Sequence, residues 1–389
     1  MVPGTKCVIC ERRDMGDALA KLMELRDDPF SMARGWKERT GGKAVGFFCC
    51  LAPEEIIHAA GALPVRITGE NRVTSKSGAH LQSYCCSLAR TSLDMALTGD
   101  LDFLDGTVFV HTCDTMQRLS DIWRLNAGYA FHGDVVLPVR FEGDAALEYM
   151  REELAFFRQR VSDNIGPVDD SALVKSIKLY NRNRELLSEL YRLRRKDPGI
   201  IPSDEALWLV ASSALMEKSE HNALLEEVIE DLKGASNNKS DEKVRLFAAG
   251  SVMDQWDFLK MVEGVGGTIV DDDFCTGHRY FDAEVPVEVD PIEGIARRLA
   301  DRGSCPCKYL PSRDRAGCLL DRIGEAGARG AVFFQFKFCD PHSFDYPYIK
   351  KALDEEGIPS LHLEIEHDSV STEQLRTRVE ALLETIRGC

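Results

Sequence analysis

Cysteine is the residue type through which this sequence could do chemistry, with 13 among 389 residues. An isolated thiol such as Cys318 reads as a small hydrophobe suited to a core. Position gives several others more meaning. Cys49 and Cys50 follow the apolar run Ala44-Val45-Gly46-Phe47-Phe48, and Cys113 follows Thr107-Val108-Phe109-Val110. Cys275 lies just beyond Thr268-Ile269-Val270, and Cys339 just beyond the run ending at Phe336. If those runs are parallel strands, the thiols gather outside their carboxyl ends, where open α/β sheets bind ligands. Cys85 and Cys86 open a helix, whose positive end favours thiolate. Cys305 and Cys307 flank a proline in a C-P-C turn followed by Lys308.

Thiolates are soft ligands that suit iron–sulfur clusters and zinc. Structural zinc favours C-x-x-C with a second pair nearby, and Cys7-Val8-Ile9-Cys10 alone has that form, without a local second pair. The other candidates are single residues scattered along most of the chain. That distribution suits an iron–sulfur cluster clamped between domains better than a zinc staple. A disulfide framework does not fit. The opening MVPGTKCVICERRDMGDAL has no apolar signal core, and no uninterrupted apolar run reaches about 18 residues. A cytoplasmic location is therefore expected, where thiols stay reduced.

These residues need elements to position them. Residues 11–40 alternate charged and apolar positions at helical spacing until Thr40-Gly41-Gly42-Lys43 breaks the pattern. Strands are then expected at Ala44–Phe48, Pro64–Ile67, Thr107–Val110 and Val135–Val139, with helices near 53–60 and 87–97. From about 145 to 233 the pattern is helical and charged, and Gly234-Ala235-Ser236-Asn237-Asn238-Lys239-Ser240 reads as a linker. A second unit follows, with strands at Val244–Ala248, Thr268–Val270, Ala331–Phe336 and Ser360–Ile365 and helices near 254–264, 292–302, 312–327 and 372–386. The reading is an α/β protein: a helical segment over 1–43, a first doubly wound parallel-sheet domain over 44–144, a helical connector or lid over 145–240, and a second such domain over 241–389. A composition that is 44% hydrophobic can fill two cores.

A formal net charge of −16 argues against nucleic acid or an anionic membrane as partner. No G-x-x-x-x-G-K-[ST] loop is present, so any ATP hydrolysis is expected on a separate protein. Gly264-Val265-Gly266-Gly267 precedes a strand and reads as a turn, not a dinucleotide fingerprint.

Four ordered segments carry a family pattern: Cys49-Cys50-Leu51-Ala52-Pro53-Glu54-Glu55-Ile56-Ile57-His58, Cys86-Ser87-Leu88-Ala89-Arg90, His111-Thr112-Cys113-Asp114-Thr115 and Phe338-Cys339-Asp340-Pro341. From about Ala44 onward the sequence resembles the benzoyl-CoA reductase and 2-hydroxyacyl-CoA dehydratase superfamily. The resemblance implies two flavodoxin-like domains holding a 4Fe-4S cluster, pairing with a homologous subunit in a homo- or heterodimer, and a separate ATP-hydrolysing iron–sulfur activator that donates single low-potential electrons. Cys86, Cys113 and Cys339 match the family's basic ligand set. The additional Cys49, Cys275 and Cys305 or Cys307 resemble the double-cubane cluster branch, in which six cysteines hold an 8Fe-9S centre. The leading expectation is a benzoyl-CoA reductase-like subunit acting on an aromatic acyl-CoA or another inert substrate. The alternatives are a double-cubane protein reducing small molecules, a dehydratase subunit with one cubane, and a non-enzymatic electron carrier.

Reduction of an inert bond also needs protons. Glu55, close to Cys49, is the first candidate donor, because burial and an anionic cluster would raise its pKa. Glu54 and Glu55 equally read as first-turn acids of a helix beginning at Pro53. His111 and His342 are candidate donors to substrate or to cluster sulfurs. Arg90 reads as a residue on a solvated helix face, and Asp114 and Asp340 as caps of the helices that follow them.

Overall fold

A computed structural model describes residues 16–235, 243–303, 305–367 and 372–388. The C-x-x-C pair at Cys7 and Cys10 and most of the expected linker fall outside these residues. Two four-stranded sheets, both wholly parallel, form the framework. The first contains β1 (Ala44–Phe47), β2 (Leu63–Arg66), β3 (Gly106–Val110) and β4 (Phe131–Val135) in the order β2-β1-β3-β4. The second repeats that order as β6-β5-β7-β8, with β5 (Val244–Gly250), β6 (Gly267–Asp273), β7 (Gly330–Phe336) and β8 (Ser360–Ile365). This is the flavodoxin-type winding, and it creates a switch point between β1 and β3 and another between β5 and β7. The α/β expectation of two doubly wound sheets therefore holds.

The helices are α1 (Asp17–Glu24), α2 (Ser31–Thr40), α3 (Glu54–Ala59), α4 (Ser87–Thr98), α5 (Asp114–Asn126), α6 (Asp144–Asn164), α7 (Asp170–Lys196), α8 (Ser203–Ser212), α9 (Lys218–Gly234), α10 (Trp256–Gly264), α11 (His278–Phe281), α12 (Pro291–Asp301), α13 (Arg315–Glu325), α14 (Asp340–Glu355) and α15 (Thr372–Arg387). Buried faces of α6, α7, α8 and α9 join β1, β3 and β4 in one apolar cluster that includes Phe47, Val108, Phe157, Leu187 and Leu209. The second sheet has its own core around Leu246, Phe258, Phe334 and Leu383. No described helix is long and apolar enough to cross a membrane.

Two strands depart from expectation. The strand expected at Val135–Val139 lies upstream, where Phe131, Gly133 and Val135 face inward and His132 and Asp134 alternate outward. The polar pair hides the period-two pattern. Beyond Val135 the backbone leaves the sheet: Val139 is exposed, and its carbonyl accepts from Tyr309 N at 2.8 Å. Strand β6 runs three residues past Val270, through Asp271, Asp272 and Asp273, all buried. Those acids can lie inside because each has partners. Arg195 and Arg322 reach Asp271 at 3.0 and 2.8 Å, Tyr191 donates to Asp272, and Arg315 reaches Asp273 at 2.6 Å.

Candidate cluster site

The cysteines that follow strands do converge at the carboxyl ends of the two sheets, and they form two neighbouring groups. In the first, Cys86, Cys113 and Cys339 occupy the N-cap positions of α4, α5 and α14. The thiol of Cys113 accepts from Met116 N at 3.5 Å. The backbone N–H groups of Ala89, which also donates to Cys86 O at 3.1 Å, and of His342 lie near the sulfurs of Cys86 and Cys339 without closing a cap bond. Each of these cysteines thus stands at the positive dipole end of a helix, and the three thiols lie near enough to one another to interact electrostatically. Cysteine takes the cap position expected of Asp114 and Asp340, which instead stand one residue later in the first turn. Burial pushes the thiols of Cys86 and Cys339 up to about 12, and it raises Cys113 as well. Without a metal these three hold their protons at neutral pH, so a metal that binds them must displace protons.

The second group is Cys49, Cys50, Cys275, Cys305 and Cys307. Cys50 hydrogen bonds with Cys275 and Cys49, and Cys305 with Cys307. None of these caps a helix. Their compensation comes from buried arginines. Arg302 donates to Cys50 O at 2.7 Å and to Cys50 Sγ at 3.3 Å. Arg279 points Nη1 at Cys305 Sγ from 3.9 Å and is held by Gly250 O. Arg66 donates to Cys275 O at 2.7 Å. The thiol of Cys305 is lowered to about 6, first by the hydrogen bond from Cys307 and then by Arg279. Cys49, Cys275 and Cys307 are pushed up, chiefly because each donates to a neighbouring sulfur.

Cys307 lies near enough to Cys113 for its charge to raise the Cys307 thiol, so the two groups are neighbours. The C-P-C turn is fixed against the segment after β4, where Lys308 Nζ donates to Leu137 O and Pro138 O, each at 3.0 Å. Among the described residues no three Cys, His, Asp or Glu side chains are gathered tightly enough for a single metal ion. Thiolates of an iron–sulfur cluster bind different irons and stand further apart than the ligands of one ion. The donor set fits such a cluster: soft ligands alone, shared between both sheets, with helix N-termini and arginines supplying the charge that thiolates need. Cys318 lies elsewhere, on α13.

The expected acid–base residues separate. Glu54 and Glu55 are both buried first-turn acids of α3. Burial would raise Glu55, but Arg184 and Arg298 overcome it and hold the carboxyl below its usual range. The expected elevation belongs instead to Glu54, where burial outweighs Lys218. Tyr280 donates to Glu54 at 3.1 Å, and Lys218 donates to Tyr280 at 2.8 Å. His111 is engaged by Asp134 at 3.0 Å. The imidazole of His342 is buried, and burial with Arg279 and Arg315 nearby keeps it neutral. It is the backbone of His342 that faces the Cys339 thiol. Arg90 is not on a solvated face, since it pairs with Glu366 at 3.0 Å and donates to Cys85 O at 3.0 Å, fixing the turn before Cys86.

Sequence reasoning saw Glu54 only as a first-turn acid of α3, which it is, and passed over Tyr280, Lys218 and the arginines at 66, 279 and 302. Their partners are distant in sequence: Arg302 reaches Cys50 across 252 positions, Arg66 reaches Cys275 across 209, and Arg279 reaches Cys305 across 26.

Residues 49–386 match the family model described as 2-hydroxyglutaryl-CoA dehydratase, D-component. The chain is 30% identical over 350 residues to the (R)-phenyllactyl-CoA dehydratase beta subunit of Clostridium sporogenes, covering 90% of this chain and 93% of that one. It is 30% identical over 382 residues to a subunit of the benzoyl-CoA reductase of Thauera aromatica, covering 95% and 98%. It is 26% identical over 381 residues to the (R)-2-hydroxyglutaryl-CoA dehydratase beta subunit of Acidaminococcus fermentans, covering 95% and 98%.

Proposed function

From the premise that this chain belongs to the 2-hydroxyglutaryl-CoA dehydratase D-component family, we propose that it is the iron–sulfur subunit of a low-potential reductase of the benzoyl-CoA reductase type. The observation that carries this reading is the meeting of two thiol groups in one crevice, Cys86, Cys113 and Cys339 beside Cys49 or Cys50, Cys275 and Cys305 or Cys307. Six such ligands suit two joined four-iron cubanes. A bound cluster of this kind would supply single electrons at very low potential.

The chain's own residues supply the rest. Helix N-termini and the guanidinium groups of Arg279 and Arg302 hold negative charge in a buried place. Glu54, kept protonated more readily than an ordinary carboxyl, is the proton donor we favour over Glu55, with Tyr280 and Lys218 behind it as a route for its replacement. The electrons come from a separate ATP-hydrolysing activator, and the enzyme is completed by a homologous subunit. The substrate class is an aromatic acyl-CoA or a similarly inert small molecule.

A second reading, a 2-hydroxyacyl-CoA dehydratase subunit with one cubane, draws on the three N-cap cysteines alone and on the two dehydratase relatives. An electron-uptake experiment tests the proposal. The anaerobically purified chain, mixed with a family activator and ATP, is expected to show ATP-dependent reduction by EPR. No reduction with an activator that reduces its own partner would overturn it.

A further inference from the structure

Ser87, His367 and Asp254 form a line of hydrogen bonds. His367 Nε2 meets Asp254 Oδ2 at 2.7 Å, and its Nδ1 meets Ser87 Oγ at 2.9 Å. Serine, histidine and aspartate in this order make the constellation of a hydrolytic triad. Here Ser87 is 2% exposed and His367 is fully buried, so no acyl group reaches the hydroxyl. An ionised Asp254 can only accept, which puts the ring hydrogen on Nε2 and leaves Nδ1 of the neutral imidazole to accept from Ser87. The Ser87 oxygen accepts in turn from His367 N at 3.3 Å. These bonds fasten elements together.

The elements they fasten carry two of the N-cap cysteines. Ser87 is the first residue of α4, next to Cys86. The His367 ring stacks at 4.5 Å on Phe336, the last residue of β7. From Phe336 the chain makes one turn to Cys339, whose N–H donates to Phe336 O at 3.2 Å. Within that turn Phe338 has a φ of 64°, a left-handed conformation that a side-chain-bearing residue keeps only where its surroundings impose it. Glu366 supplies a second bridge between the same elements, reaching Arg90 of α4 at 3.0 Å and Lys337 at 3.5 Å. Lys337 N also donates to Ile365 O at 2.9 Å. Gly69 packs close to the ring, since a β-carbon there would stand 3.0 Å from His367 Cε1.

We propose that Glu366 and His367 are positioning residues that clamp the start of α4 to the exit of β7 and so fix the span between Cys86 and Cys339. Thiols delivered by two different sheets retain a shared centre only while the groups behind them hold that span. The inference rests on the reading that Cys86 and Cys339 ligate one centre, and it adds what sets their separation.

Iron release from the anaerobically purified chain to a ferrous chelator tests it, together with amide hydrogen exchange on the same sample. Ser87→Ala combined with Glu366→Gln cuts both side-chain ties to α4 and leaves every cysteine in place. Release is expected to quicken by about tenfold. Exchange in the first turn of α4 and over residues 337–343 should quicken by about tenfold as well, with α12 unchanged. His367→Phe keeps an aromatic ring on Phe336 and loses the bonds to Ser87 and Asp254, and it should shift exchange in the same two segments. Unchanged release from the iron-loaded double variant, unchanged exchange in both variants, or exchange that rises equally in α12 would overturn the proposal. Should the unmodified chain hold no iron, the cluster reading fails, and the exchange measurements alone decide whether the clamp exists.

Discussion

Cys86, Cys113 and Cys339 each stand at the start of a helix, whereas Cys50, Cys275 and Cys305 lie in loops among arginine side chains. As cluster ligands both groups would have to hold negative charge away from water, and they offer compensation for it by different means. A helix N-terminus is built by local sequence and offers backbone N–H groups that cannot be mutated away. An arginine offers a full charge, but its position depends on distant parts of the fold. Arg302, for example, reaches back across 252 positions of sequence to Cys50. The first group is therefore expected to be the more tolerant of substitutions around it.

The largest effect expected from this contrast is on cluster content. Cys113→Ser or Cys339→Ser should remove most of the iron and all electron uptake, because the N-cap group anchors the centre. Cys275→Ser should leave about half of the iron, measured per chain after anaerobic purification. Equal losses from both would erase the distinction between the groups.

Next in size is Arg302→Met. It strips the Cys50 carbonyl and thiol of their donor in a buried place and should cost about 3 kcal/mol of stability in urea unfolding. It should also reduce iron content more than Arg90→Met, which removes a half-buried ion pair near the first group.

The two groups should also differ in thiol reactivity once the metal is removed. Cys305, lowered to about 6, is mostly thiolate at neutral pH, and its alkylation should fall as pH drops through that value. Cys86 and Cys339, pushed up to about 12, should resist alkylation at neutral pH and react only in strong alkali. Mass-spectrometric mapping of iodoacetamide adducts against pH reads both. The smallest change is Asp114→Asn, which removes a first-turn acid from α5 and should lower stability by about 0.5 kcal/mol.

The same contrast explains what the sequence made legible. Strands such as β1 and β7 are continuous apolar runs, so their ends, and the cysteines just beyond them, could be located from local pattern. Position placed Cys86, Cys113 and Cys339 among the candidates, and the family resemblance set those three apart. The strand β4 was displaced by four residues at its start because His132 and Asp134 sit on its outward side, paired with Ser120. Asp271–Asp273 looked like the end of a strand, since nothing nearby announces that arginines from α7 and α13 will neutralise them. Glu55 attracted attention through its place beside Cys49, and its elevation was expected from burial. Arg184, 129 residues away, reverses that shift and leaves Glu54 as the carboxyl with a raised pKa. Charge pairing over long sequence distance is what a single sequence conceals.

Two thiol groups, not one, are expected to hold the metal centre. Iron and acid-labile sulfide per chain, determined on anaerobically purified protein, test this most directly. About eight irons with about nine sulfides are predicted. About four irons would confine the centre to Cys86, Cys113 and Cys339 and contradict the two-group account, and zinc without iron would contradict it entirely.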